Sequence, residues 1–277
     1  MASIYPVRPA VFRSGPRVVR ARAVGADLTM IERHAAERIH RIEDAHVNWY
    51  LVEDGASGGL TVVDTGLPRS WRSLQSAVSE LGRSLADLEA VVLTHGHFDH
   101  MGFARRAHDE LGVPVWAHAS ERSVVSHPWR YDHERSRLPY FRRPEFVKVF
   151  TDMGAMGALW VKGVDAVRAF GPTDTLDVPG RPQVVFTPGH THGHCSLLFA
   201  DRGALIAGDA FVMLDPYTGR GGPCVVAGAA TADSAQALAS LDALAKLDAT
   251  TALTGHGPPW KGSLREAVER ARAAGPA

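Results

Sequence analysis

The sequence predicts a layered α/β protein, and three observations carry that expectation. Short apolar runs of strand length alternate with stretches of helical periodicity, and glycine and proline punctuate the junctions. Histidines and aspartates collect beside glycine where apolar strands stop, a placement that suits turns better than a core. Strands grouped with helices in each half argue for layers, because a sheet needs helices to cover its apolar face.

Val47-Asn48-Trp49-Tyr50-Leu51-Val52 reads as a strand and Leu60-Thr61-Val62-Val63 as its neighbour, ending at Asp64-Thr65-Gly66. Trp71, Leu74, Val78 and Leu81 share one helix face, which Gly82 closes. Ala90 to Leu93 is a strand of buried type that runs into Thr94-His95. Gly102 to Leu111 follows as a helix and Pro114 to Ala117 as a strand. Val184 to Phe186, Ser196 to Phe199 and Ala204 to Ala207 repeat the strand pattern, with Asp201-Arg202-Gly203 as a turn. Leu238, Leu241, Leu244 and Leu247 line another helix face, and a last helix covers Ser263 to Ala273. Residues 121 to 170 break the rhythm and show no convincing strand. There Pro144 opens a helix with Phe146, Val149, Phe150, Met153 and Trp160 on an apolar face, after a segment rich in arginine and aromatic residues. The expectation is one domain over 1–277, with a basic arm at 1–30 and a helical insertion at 121–170 that serves as a substrate lid or as packing.

Bulk properties exclude several classes. At 277 residues, 45% apolar and 22% charged, the chain can bury its own core. Thirty basic residues balance thirty acidic ones, so no global field favours nucleic acid. Cys195 and Cys224 make no disulfide framework, which suits a reducing compartment. No apolar run approaches the roughly 18 residues of a membrane helix. The first 26 residues carry Arg8, Arg13, Arg17, Arg20 and Arg22 without an acid, but Pro6, Pro9 and Pro16 spoil an amphipathic targeting helix. A cytoplasmic protein acting on a small molecule, away from nucleic acid and membrane, is the expectation; its oligomeric state is open, with a homodimer among the options.

The chemistry is concentrated in Thr94-His95-Gly96-His97-Phe98-Asp99-His100. Three imidazoles and a carboxylate within six residues cannot all be core side chains, and these are natural ligands of zinc and other divalent ions. In a turn, His95 and His97 can point one way and Asp99 and His100 another, so the run can serve two adjacent metals. His190 follows another strand, in Thr187-Pro188-Gly189-His190-Thr191-His192-Gly193-His194. Asp209 follows Gly208 after the strand ending at Ala207, and His256 stands in Thr254-Gly255-His256-Gly257. Each lands beside glycine at a strand end, where the backbone can turn tightly. A lone Gly-Asp is an ordinary turn, but the ordered series is not.

This series resembles the metallo-β-lactamase superfamily: an aspartate after an early strand (Asp64), H-x-H-x-D-H (His95 to His100), a histidine (His190), a Gly-Asp (Asp209) and a final histidine (His256). The resemblance spans about residues 45 to 260 and implies a four-layer αβ/βα sandwich with metals at one edge. It implies that His95, His97 and His190 hold one metal, Asp99, His100 and His256 a second, and that Asp209 bridges them. Zinc is the first expectation for the two divalent ions, with iron or manganese as alternatives. A hydroxide shared by the two ions would be the nucleophile, with Asp99 ligating and orienting it. Asp64 supports the ligand loop without binding, or equally caps the turn before Gly66. His194 supports the site from outside, His192 is a loop residue, and His34, His40, His46, His108, His118, His127 and His133 are surface or satisfied polar groups. Cys195 is a small apolar residue opening a strand rather than a nucleophile.

A carboxylic ester, thioester or lactone is the expected substrate class. A bridging Asp209 speaks against β-lactam resistance enzymes. Glyoxalase II carries a helical substrate region after its final histidine, and 21 residues follow His256 here. Lactonases of the family carry a tyrosine three residues after the bridging aspartate. That position is Val212 here, so Tyr217 is the expected stand-in. The alternatives are an RNase Z-like phosphodiesterase and a mononuclear iron sulfur dioxygenase; a binding module would be expected to lack ligands, and none is missing. Segment 121–143 has six arginines against three acids among Trp129, Tyr131, Tyr140 and Phe141. With Phe146, Met153 and Trp160 it is the expected wall for an apolar substrate with an anionic group.

Overall fold

Alternation of side chains along the strands sorts the chain into layers. The computed structural model describes residues 29–277 and, before them, the backbone of the short strand Val18–Val19. The expected basic arm at 1–30 lies almost wholly outside the described residues. The first sheet runs in chain order: β1 (Val18–Val19), β2 (Thr29–Ala36), β3 (Ile39–Asp44), β4 (Val47–Glu53), β5 (Leu60–Val63), β6 (Leu88–Val92), β7 (Val115–His118) and β8 (Val167–Phe170). It is antiparallel up to β5 and parallel from β5 to β8. The second sheet contains β9 (Gln183–Phe186), β10 (Cys195–Phe199) and β11 (Ala204–Gly208). A separate ribbon, β12 (Val212–Leu214) with β13 (Gly221–Cys224), leaves it before β14 (Thr251–Thr254) and β15 (Trp260–Lys261) complete the order β15-β14-β11-β10-β9.

The helices are α1 (Ser70–Glu80), α2 (Ala104–Leu111), α3 (Arg122–Ser126), α4 (Pro144–Ala155), α5 (Ser234–Leu244) and α6 (Leu264–Ala274). Leu51, Val62, Val91 and Leu93 of the first sheet pack against Trp71, Leu74 and Val78 of α1 and Ala104 and Ala107 of α2. Their neighbours Tyr50, Val52, Val63, Ala90 and Val92 turn the other way and meet Val184, Leu197, Phe199 and Ile206 of the second sheet. Leu198, Leu205 and Ala207 point out again, onto Leu241 and Leu244 of α5 and Val268 of α6. The order helix, sheet, sheet, helix is the expected αβ/βα sandwich. Each large side chain so buried stabilises it by about 1.5–3 kcal/mol. No helix among the described residues is long and apolar enough to cross a membrane.

The structure corrects the elements in places. β2 and β3 escape periodicity analysis because buried Arg41 is neutralised by Glu32 and Glu43 and hydrogen-bonded to Asn48, so charged residues sit inside a strand pair. β8 lies inside the stretch expected to hold no strand. It is an edge strand in which only Phe170 is buried, so the alternation that marks a strand is missing. α5 stops at Leu244, leaving Leu247 beyond the helix it was expected to line. α4 does begin at Pro144 and buries Phe146, Val149 and Met153, but Trp160 falls in a short 3-10 turn after it.

Candidate metal centre

Five turns converge at one edge of the sandwich. β5 stops at Val63, and Asp64 takes a left-handed conformation (φ 57°), unusual for a residue with a side chain. Its Oδ1 accepts the Thr94 N–H at 2.8 Å, and its Oδ2 accepts the Thr94 hydroxyl at 2.8 Å and the His100 Nδ1–H at 3.1 Å. Although Asp64 also lies near His95 and His100 as a possible ligand, those bonds occupy both its oxygens. It orients the histidine loop.

Hydrogen bonding fixes the imidazole tautomers. Thr94 Oγ1 has given its proton to Asp64, so it accepts from His95 Nδ1 at 3.0 Å. Thr231 Oγ1 donates to the Val226 carbonyl and accepts from His190 Nδ1 at 3.3 Å. His256 Nδ1 donates to the His46 carbonyl at 2.8 Å. With His100 held by Asp64, four imidazoles thus turn Nε2 inward; a ligand needs a neutral ring with its other nitrogen hydrogen-bonded, as in His95 and His190, and at His100 and His256 a cation would take the place of the Nε2 proton. The side-chain ligand atoms of His95, His97 and His190 lie within 4.8 Å of one another, as do those of Asp99, His100 and His256. Asp209 stands between the sets, its Oδ2 3.4 Å from His190 Nε2 and 3.4 Å from His256 Nε2. Only glycine fits opposite, because a Cβ on Gly255 would meet Asp209 Oδ1 at 1.9 Å.

Buried polar atoms normally find a partner. Here His95, His97, His100 and His190 leave Nε2 unsatisfied, and Asp209 leaves Oδ1. The orphans belong to one cluster of imidazoles and carboxylates, the donor set of a borderline divalent cation, so the residues fit a metal. Electrostatics agrees. Burial and neighbouring imidazoles push His95 and His97 well below the ordinary imidazole value and His190 down to about 4, so these three stay neutral. Burial also opposes charge on His100 and His256, but the Asp99 and Asp209 carboxylates outweigh it and raise both, His100 to about 10. The carboxylates draw positive charge to the space a cation would fill.

Surrounding residues hold the ligands. His194 Nδ1 donates to Thr187 Oγ1 at 2.8 Å and its Nε2 accepts the Asp209 backbone N–H at 2.9 Å, so both nitrogens are occupied and His194 positions Asp209. Gly208, with φ 54°, makes the turn that brings that N–H to His194. Glu121, which sequence reasoning missed, is fully buried; it accepts the N–H of Gly96 at 2.7 Å and of Gly193 at 2.8 Å. It ties the His95–His97 turn to the His190–His194 turn. Its signal was an acid three residues after a strand ending in His118, inside a stretch read as insertion. His192 is exposed and pairs with Asp132. Cys195 is buried, its thiol pushed up by burial and donating to the Gly193 carbonyl, as a packing residue would be.

The candidate metal cluster opens into a cavity of ≈ 20 Å³ walled by Phe98, Tyr131, Phe150, Met153, Tyr217 and Val226. Met153 and Tyr217 therefore stand where substrate contacts were expected. Phe146 stands behind them, 4.2 Å from Phe150 and 5.3 Å from Tyr217 between ring centres. Trp160 is a correction: it is 67% exposed and lines a separate surface groove with Pro68, Phe103 and Arg106. Tyr131, not singled out as a site residue, stacks on His97 with ring centres 3.8 Å apart.

The chain's relatives carry the same stamp. A family model described as the metallo-beta-lactamase superfamily matches residues 42–256. The probable metallo-hydrolase YflN of Bacillus subtilis is 28% identical over 243 residues, 82% of this chain and 87% of that protein. A hydroxyacylglutathione hydrolase of Gloeobacter violaceus is 30% identical over 173 residues, 62% of this chain and 51% of that protein. A crystal structure of a metallo-beta-lactamase family protein from Thermus thermophilus superposes with a TM-score of 0.60 at 28% identity, covering 82% of this chain and 74% of that one.

Proposed function

The chain belongs to the metallo-β-lactamase superfamily and is a metallo-hydrolase, and we propose that it is a dinuclear one that cleaves a carboxylic ester, thioester or lactone. The observation that supports two ions is the place of Asp209, whose Oδ2 lies 3.4 Å from a nitrogen of each ligand set. His95, His97 and His190 would hold one ion, Asp99, His100 and His256 the other, and Asp209 both; zinc is the first choice for this donor set, iron and manganese the alternatives. Such ions supply Lewis acidity, polarising a carbonyl and lowering the pKa of a water toward neutrality.

The protein's own groups do the rest. Asp99 faces the cavity with Oδ2 3.5 Å from His256 Nε2. From there its carboxylate accepts the attacking water's hydrogen and can return that proton to the leaving group. Phe98, Phe150, Met153 and Val226 exclude bulk water. Tyr217 lines the wall and would be the stand-in tyrosine. The acyl class is supported by the relative named hydroxyacylglutathione hydrolase, whose name describes removal of an acyl group from glutathione. The balance of 30 basic and 30 acidic residues favours a small molecule over nucleic acid. Elemental analysis after dialysis, with a panel of lactones, thioesters, phosphodiesters and persulfides, tests the proposal. Two metals per chain with turnover of the carbonyl substrates is the expected result. One iron per chain with persulfide oxidation, or turnover of phosphodiesters alone, overturns it.

A further inference from the structure

We infer that the substrate carries an anionic group, a carboxylate by preference, and that Arg137 with the hydroxyls of Tyr131 and Tyr217 receives it beside the metal-ligating cluster. The inference rests on the hydrolase proposal and adds the charge of the substrate.

Residues 131–137 form a strap that lines the cavity through Tyr131. Glu134 N–H donates to the Thr231 carbonyl at 3.0 Å and Arg135 N–H to the Gly228 carbonyl at 2.9 Å. The Glu134 carboxylate accepts from the backbone N–H and hydroxyl of Ser234 at 2.8 and 2.6 Å. Tyr131 and Arg137 are the two ends of this clasp. The Tyr131 ring lies on His97, and the Arg137 guanidinium sits 4.7 Å from the Tyr131 ring centre.

Arg137 is half-buried, and its Nε donates to the Ala229 carbonyl at 3.2 Å. No carboxylate pairs with it among the described residues. Its guanidinium also bonds the Tyr131 hydroxyl, and the N–H donors left over are open to solvent or to an anion. A phenol keeps its proton at neutral pH, so the Tyr131 and Tyr217 hydroxyls can both donate. They interact with each other and Tyr131 with Arg137, and neither gives its proton to a carbonyl or carboxylate. Within the pair one phenol proton is spent on the other phenol, so the guanidinium and the remaining hydroxyl proton make the receptor for carboxylate oxygens, with the second hydroxyl able to turn to them. The cavity of ≈ 20 Å³ holds one or two waters beside the ligands.

Two esters that differ only in the terminal group, 4-nitrophenyl pentanoate and mono-4-nitrophenyl glutarate, test the assignment on the metal-loaded enzyme. The wild type should favour the glutarate ester by about tenfold or more in kcat/KM, chiefly through KM, as one charge-assisted contact allows. Arg137→Gln should bring that ratio close to one and Arg137→Lys should keep part of it. Tyr131→Phe gives a second measure of the ratio if Arg137→Gln does not fold. Equal kcat/KM for the two esters in the wild type, or an unchanged ratio in Arg137→Gln, overturns the inference. If a fully metallated protein cleaves neither ester, the esterase proposal has failed, and calorimetric titration with glutarate decides the subsite. Weaker binding in Arg137→Gln than in the wild type then supports it, and equal or absent binding overturns it.

Discussion

The metal-ligating cluster and the segment that covers it are built on opposite principles. Every proposed ligand sits at a strand end or in an adjoining turn and is buried, and four of the seven are held by a bond from a neighbouring turn: Asp64 to His100, Thr231 to His190, His46 to His256, His194 to Asp209. The cover, residues 129–160, contains all the exposed large hydrophobic side chains of the described residues: Trp129, Leu138, Phe141, Val147, Leu159 and Trp160. It touches the cluster through a few residues only, Tyr131, Phe150 and Met153. A frame overdetermined by hydrogen bonds suits chemistry that tolerates little misplacement, whereas a cover with sparse contacts can change what it admits without disturbing the ligands.

Asp209→Ala attacks the frame at its centre and should have the largest effect. Nothing near it in sequence replaces its carboxylate between the two ligand sets, so activity should fall by more than about 10²-fold, beyond the range for outer residues, with loss of at least one metal. Elemental analysis and steady-state rates on the same preparation check this, with Cys195→Ser as a control that keeps both. Full activity in Asp209→Ala would sink the dinuclear assignment.

A smaller break in the frame is Glu121→Gln. An amide can accept from one of the two glycine N–H groups but presents its own N–H to the other, so the His95–His97 and His190–His194 turns should part. Metal affinity, measured by competition with a chromophoric chelator, is expected to drop about 10- to 100-fold. Unchanged affinity would make Glu121 a packing residue only.

The cover should respond in graded fashion. Phe146→Ala and Met153→Ala remove buried side chains and should each cost about 2–5 kcal/mol in thermal or denaturant unfolding. Met153→Ala, which also enlarges the cavity, should alter KM or substrate ranking as well, with metal content unchanged. Trp160→Ala, at an exposed site away from the cavity, should change stability by less than about 0.5 kcal/mol and leave kinetics alone. A kinetic effect of Trp160→Ala would mean that the surface groove takes part in substrate selection.

The ligand set and the layers were legible in the sequence because each is encoded locally. The run from His95 to His100, the Gly208-Asp209 pair and the Gly255-His256 pair are short motifs at the ends of apolar strands, and a strand buried on both faces announces itself by composition. β2 and β3 were not legible, since Arg41 reads as solvent-facing until Glu32, Glu43 and Asn48 close around it from three strands. Nor was β8, an edge strand with one buried side chain.

What the sequence determined by itself was the chemistry: which side chains can ligate, and that they stand at strand ends. Only the tertiary structure decided which residues serve them. Glu121 acquires its role by reaching Gly96 and Gly193, 25 and 72 residues away. Tyr131 and Arg137 acquire theirs because the strap is clasped to residues 228–234, and Trp160 loses the one expected of it because the chain leaves α4 before that position. Ligand identity is a property of atoms, which sequence states outright. Proximity is a property of the folded path, and turns that are irregular and half polar carry no periodicity from which that path can be inferred.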